Sequence, residues 1–295
     1  KHPDPTKANF PAGSVWFKLV FTTADTSEAP NLLNAMEWEA FVEKGADQPI
    51  DPKKLTKVRL MEVDFGVRSD AKEAVNGWIY GVYVFEGHKN GANIQDKMVP
   101  IGLQWGNDPG LTPQIVRAGA KPVSETWINT NAWNENNPNA SLVQKIGWGY
   151  RLQGPVGDHG SSIMSMHMTA GWPPANAVAP KGMPVDSILK WHRNLGHGVA
   201  FLPGQTSLDH CLELVDGMRN HAIANGDTLM EKAYLETMAD ILGFIPQKHG
   251  EGAVTEEKPI DVDEGLEGKN LFVFIGFLTL VVVLIGLLIW NFVKK

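Results

Sequence analysis

Residues 271–290 run from Leu271 to Trp290 without one ionisable side chain, and about 20 such residues are what an α-helix needs to cross roughly 30 Å of hydrocarbon. A core helix usually keeps a polar stripe, whereas this run is apolar on every side except at Thr279, whose hydroxyl can bond its own backbone. It is expected to be a transmembrane helix. Lys294 and Lys295 follow it and residues 251–267 before it are rich in Asp and Glu, and because Lys and Arg favour the cytoplasmic side the C-terminus is expected inside. Trp290 then sits at the interface, and everything before Asn270 lies outside. The opening at Lys1, without Met, agrees with removal of a secretory signal peptide.

The residues ahead of the anchor are numerous enough to bury a sizeable core in one or two domains, and 30 Gly with 10 Trp point to a loop-rich fold with aromatic packing. Cys211 is the single cysteine, so no intramolecular disulfide forms, and its place in an expected helix favours a buried, inert thiol. A net charge of -7 without any Lys/Arg cluster argues against nucleic acid. It leaves room for a basic protein partner, including a positively charged soluble electron carrier, and is equally consistent with ordinary solubility.

Near-alternating apolar positions predict strands over residues 15–21, 58–65, 77–85 and 98–105, with further strands over 126–130 and 146–152 around a polar loop at 134–141. The gaps are rich in Gly, Asn, Asp and Pro, which suggests an antiparallel sandwich or jelly-roll-like domain over residues 1–155. Residues 156–204, with many Gly, Pro, His and Met, show little periodicity. Helices are expected from Ser207, capped by Thr206 with Asp209 at its third position, to about Asn225, and over 228–242. A loop-rich and helical region over 156–245, an acidic flexible linker over 246–269 and the anchor over 270–295 complete the organisation.

One stretch carries a likeness to a known family. Gly147-Trp148-Gly149-Tyr150-Arg151-Leu152-Gln153-Gly154-Pro155-Val156 is followed by Ser161-Ser162-Ile163-Met164-Ser165-Met166-His167-Met168-Thr169-Ala170. This order resembles bacterial periplasmic c-type cytochromes in which an N-terminal β-domain precedes a Gly-Trp, Arg-Leu, Gly-Pro segment and a Ser-Ser-Cys-x-x-Cys-His haem-attachment site. Residues 100–110 are similar to that β-domain, and Trp191-His192-Arg193-Asn194 with Ser207-Leu208-Asp209 to the C-terminal part. The likeness covers most of the chain ahead of the anchor and implies a degenerate cytochrome-c-like region over 156–245, in the periplasm, with the anchor in the bacterial inner membrane.

The departure from that pattern matters more than the match. Haem c is held by two thioether bonds and by the following His on iron, yet Ile163 and Met166 stand at the two cysteine positions and only His167 remains. Three readings stay open for residues 163–168. The segment is a haemless remnant whose Ile and Met side chains fill the volume of a porphyrin; or His167 holds a noncovalent haem with Met183, Met218 or His192 as distal ligand; or Met164, Met166, His167 and Met168 offer thioethers and an imidazole to copper. The remaining histidines, among them His88, His159, His197, His210 and His221, show no zinc spacing, and there is no nucleophile elbow or phosphate-cradling Gly loop. Residues 106–110 read as a turn.

The expectation is therefore a non-catalytic protein without cofactor: an accessory subunit beside an integral membrane electron-transfer complex, respiratory or photosynthetic, which stabilises the assembly or assists docking of a soluble carrier. The alternative is a redox protein with haem or copper at His167. A ligand-binding β-module would require an exposed aromatic platform.

Overall fold

The computed structural model describes residues 9–42, 54–133, 146–153, 160–180 and 182–226. The expected membrane anchor, the acidic linker, the helix over 228–242, the loop at 134–141 and His159 lie outside the described residues. No helix among the described residues is long and apolar enough to cross a membrane.

The alternating apolar stretches form six antiparallel strands: β1 (Val15–Thr22), β2 (Glu37–Phe41), β3 (Leu55–Arg68), β4 (Trp78–Phe85), β5 (Met98–Gln104) and β6 (Thr126–Ile128). They make one sheet in the order β1-β3-β4-β5-β6, with β2 also on β3. Arg59 pairs with Thr22 of β1 and with Glu37 of β2, so β2 lies along the opposite edge of β3 from β1, in line with β4. An antiparallel β-domain is thus present. The described residues build one such sheet and a two-stranded ribbon, β7 (Gly171–Trp172) with β8 (Thr206–Ser207), rather than two stacked sheets.

The place of a second sheet is taken by short helices and loops. The helices are α1 (Pro113–Arg117), α2 (Ile163–His167), α3 (Val185–Ile188) and α4 (Leu212–Ala224). Ile163, Met164 and Met168 of the α2 segment join Trp78, Tyr80 and Val82 of β4 in the largest buried apolar cluster. A second cluster, of Ala170, Leu208, Val215 and Met218, seats α4. Residues 160–226 therefore share a core with the sheet.

Two expected elements are corrected. The strand over 146–152 is only a single bridge between Ile146 and Leu152, because Gly149 and Tyr150 take left-handed φ of 61° and 65° and curl the chain into a 3-10 turn at Trp148–Tyr150. Helix α4 starts at Leu212, not Ser207. Thr206 and Ser207 pair with Trp172 and Gly171, and Asp209 and His210 adopt φ of 52° and 61°, which a right-handed helix cannot contain. Thr206 is accordingly no cap; Cys211 occupies the N-cap position.

Strand β3 distributes its residues in an unusual way. Leu60, Glu62, Asp64 and Arg68 point into the buried face, whereas Met61, Val63, Phe65 and Val67 point to the other, half-buried face. Over residues 60–68 charge goes inward and apolar surface outward, the reverse of a sheet with one solvated face, while Lys57 and Arg59 at the start of the strand keep charge on the outward side.

Candidate functional site around helix α2

Helix α2 is short and firmly started. Ser162 at its N-cap accepts from the Ser165 amide at 3.1 Å, and Ser165 Oγ accepts from the Ser162 amide at 2.8 Å, a reciprocal pair that satisfies two otherwise orphaned donors. Successive side chains on a helix diverge by about 100°. Residues 163 and 167 therefore share one direction, 164 and 168 a second, and 166 a third, all buried.

His167 packs into an aromatic cluster. Its ring is 4.6 Å from Trp16 of β1 and 4.5 Å from Tyr80 of β4, near-parallel to both, and Trp78 continues the stack at 6.2 Å from Tyr80. Nδ1 is 3.0 Å from the His210 carbonyl, an acceptor, so the neutral ring carries its proton there and donates. Tyr80 OH donates to the same carbonyl at 2.9 Å. Burial, and then the nearby Lys18 charge, push the His167 pKa down to about 3.

The remaining nitrogen, Nε2, faces a buried charged group. Glu213 Oε1 of α4 is 3.9 Å from it, and Lys18 Nζ of β1 lies 3.7 Å from Glu213 and 3.5 Å from Asp64. Burial works against the Lys18 charge, but Asp64, Glu213, Asp216 and Glu62 outweigh it and hold its pKa above the ordinary value. Burial raises Glu213 and Asp216, with Lys18 pulling Glu213 back and Arg219 pulling Asp216 back.

This arrangement does not fit a haem. Trp16 and Tyr80, 5.7 Å from each other, both pack against the His167 ring, and a porphyrin bound through Nε2 would have to lie where Glu213 and Lys18 already sit. The candidate distal ligands are dispersed as well. Met218 is buried in the α4 cluster, His192 packs on Trp148 at 4.3 Å with Nδ1 3.3 Å from the Ile188 carbonyl, and Met183 is half-buried ahead of α3.

Copper fares no better. Met164 and Met168 point into the core beneath the sheet, and Met168 Sδ accepts from Asn107 Nδ2 at 3.1 Å and Asn76 Nδ2 at 3.5 Å. Met166 and His167 diverge from them and from each other around the helix, so the four do not converge on one point. Among the described residues no group of three or more His, Cys, Asp and Glu is placed to hold a metal ion.

The other singled-out residues are engaged locally. Cys211 is buried, and that burial pushes its thiol up to about 12. His88 Nδ1 is 2.8 Å from Glu86, His197 Nε2 is 3.4 Å from Asp209, His210 Nε2 is 3.3 Å from the Gly196 carbonyl, and His221 lies beside Asn225 on α4. Residues 106–110 are more than a turn. Arg151, fully buried, donates to the carbonyls of Asn107, Trp148, Asp108 and Leu111 at 2.6–3.0 Å, and Asp108 accepts from Ser124 and from the Glu125 amide. Ser162 Oγ donates to Asn107 Oδ1 at 3.1 Å, which ties this loop to the start of α2.

Sequence patterns alone did not single out Trp16 or Lys18, and Arg151 stood out only as part of the Arg-Leu motif, without its role as a donor to four carbonyls. The available signal lay in β1, whose alternation sets Trp16 and Lys18 on one face opposite Gly66 and Asp64. Gly66 is required there: a Cβ would stand 2.4 Å from Trp16 Nε1.

No family model, curated protein or solved structure matches the chain. By its own geometry it is an antiparallel β-domain whose one covered face is closed by a buried His-bearing helix.

Proposed function

We propose that the chain is a non-catalytic accessory subunit, anchored in the bacterial inner membrane with its folded part in the periplasm, which stabilises an electron-transfer complex of the membrane or assists docking of a soluble carrier there. The observation that carries this reading is the packing of α2. Ile163 and Met166 stand where the cytochrome pattern has its thioether cysteines, both are buried, and the one residual ligand, His167, is itself buried against Trp16 and Tyr80. A segment laid out for a cofactor has been turned into core.

The setting comes from the resemblance and from residues 271–290; the packing supports the absence of a redox role for His167. A position on the membrane then matters more than a reaction. The test is to purify the tagged full chain from its native membranes in mild detergent. A visible spectrum without a Soret band, no stoichiometric copper, and co-elution with a redox-active membrane complex are the expected results. Elution of the chain alone, or one haem or copper per chain lost in His167→Phe, would overturn the reading.

A further inference from the structure

Strand β2 pairs with β3 on one side only. Strand β5 begins at Met98, opposite Phe85 at the end of β4, so among the described residues no strand continues alongside β2 and its outer edge pairs with none. The register shows which groups are open. The Leu60 amide donates to the Met36 carbonyl, and hydrogen-bonded pairs alternate along an antiparallel ladder. Trp38 and Ala40 therefore bond to Val58 and Thr56 of β3, while Glu37, Glu39 and Phe41 turn both backbone groups to the free edge. Such an edge is a template for a further strand.

The side chains narrow what that strand carries. Trp38 and Phe41 are each 39% exposed, and Leu55, opposite Phe41, is 51% exposed. Aromatic side chains left open in this way are enriched at protein interfaces. Lys57 and Arg59 both bridge to Glu37, at 2.7 and 2.6 Å, and neither to Glu39, so Glu39 faces the open edge with its charge uncompensated. A second copy of β2 fits poorly there. Full antiparallel alignment of the strand with itself sets Glu39 against Glu39, and the neighbouring in-phase register sets Glu37 against Glu39, and like charges directly opposite one another are destabilising.

We propose that β2 is the docking edge for an extended segment of a partner protein, added as a further strand with Lys or Arg opposite Glu39 and apolar side chains on the face of Trp38. Main-chain bonds to Glu37, Glu39 and Phe41 hold the segment, and its alternate side chains select it. The proposal stands whether or not the partner belongs to an electron-transfer complex.

A short, end-capped fluorescent peptide alternating Lys and Val, added to the detergent-solubilised full chain, tests it. This peptide is expected to bind about tenfold more tightly than one alternating Glu and Val, and Glu39→Lys should reverse the order. Glu39→Pro removes an outward amide and none that bonds to β3, so binding should weaken about tenfold at an unchanged urea midpoint. In the wild-type chain the bound peptide should slow hydrogen exchange at the Glu37, Glu39 and Phe41 amides, which a purely electrostatic contact would not do. No binding, equal binding of the two peptides, or binding without slowed exchange at those amides would overturn the proposal. A chain that sediments as a dimer split by Glu39→Pro would overturn it in favour of a second copy, and amides already protected in the free monomer would do so in favour of a segment of the chain itself.

Discussion

If His167 is a core residue and not a ligand, its replacement has a predictable pattern of consequences. His167→Ala leaves a void beside Trp16 and Tyr80 and removes the donor to the His210 carbonyl. Deleting a buried ring of this size costs about 3 to 5 kcal/mol, and the lower end applies to an imidazole, so about 3 kcal/mol is expected. His167→Phe keeps a flat ring against the same neighbours and loses only the hydrogen bond, while the His210 carbonyl retains Tyr80 OH; about 1 kcal/mol follows. Urea unfolding of the tagged full chain, followed by tryptophan fluorescence, reads both through the midpoint at unchanged m-value. The order wild type, Phe, Ala is the expected result, with the membrane complex still co-purifying with the Phe variant. A Phe variant as damaged as the Ala variant, or an Ala variant within about 0.5 kcal/mol of wild type, would refute the account of His167 as packed core.

Three further outcomes follow from the same packing. Burial depresses His167 and His192 to about 3 and His210 to about 4, below the ordinary value near 6.5. The unfolded chain therefore binds more protons between about pH 4 and 6, and the contribution is whole above pH 6.5 and lost on acidification. Three such groups give a slope of at most about 4 kcal/mol per pH unit, opposed by Glu213 and Asp216, whose raised values keep protons in the folded state. Urea midpoints should fall from pH 7 to pH 5, less so in His167→Phe, and a flat profile in wild type would count against the burial of these rings. Arg151→Lys should lose at least about 3 kcal/mol in the same melts, because one ammonium cannot reach four divergent carbonyls; near-wild-type stability would show that the carbonyls find other partners. Gly87→Ala brings a Cβ within 1.8 Å of the Leu33 carbonyl oxygen, so a loss of about 2 kcal/mol is expected, and an unchanged midpoint would mean that residues 31–33 shift freely.

What could be read in the sequence was whatever depends on neighbours along the chain. The strands of β1, β3, β4 and β5 follow from near-alternation, since each is seven or more residues long. The stretch at 146–152 failed because Gly149 and Tyr150 bend it back to present Arg151, and the need for that bend lies some forty residues earlier, at Asn107 and Asp108. The start of α4 failed for a like reason: Ser207 pairs with Gly171, and the turn at Asp209 and His210 aims one carbonyl at both Tyr80 and His167.

The same contrast explains why the α2 motif was legible while its meaning was not. Ile163, Met164, Met166, His167 and Met168 are visible as a block, and by composition they suit a cofactor as well as they suit a core. The choice between those readings is made by residues that no local pattern links to the block: Trp16 and Tyr80 packed against His167, Asn76 and Asn107 on Met168, and Glu213 with Lys18 at Nε2. An inward-pointing Lys18, Glu62 and Asp64 would be a poor choice for a sheet that had only to be stable, because buried charge is weak support for stability. Their presence beneath α4, with Val63 and Phe65 half-buried on the opposite face, places on the covered side of β3 the charged groups that alternation would otherwise give to solvent.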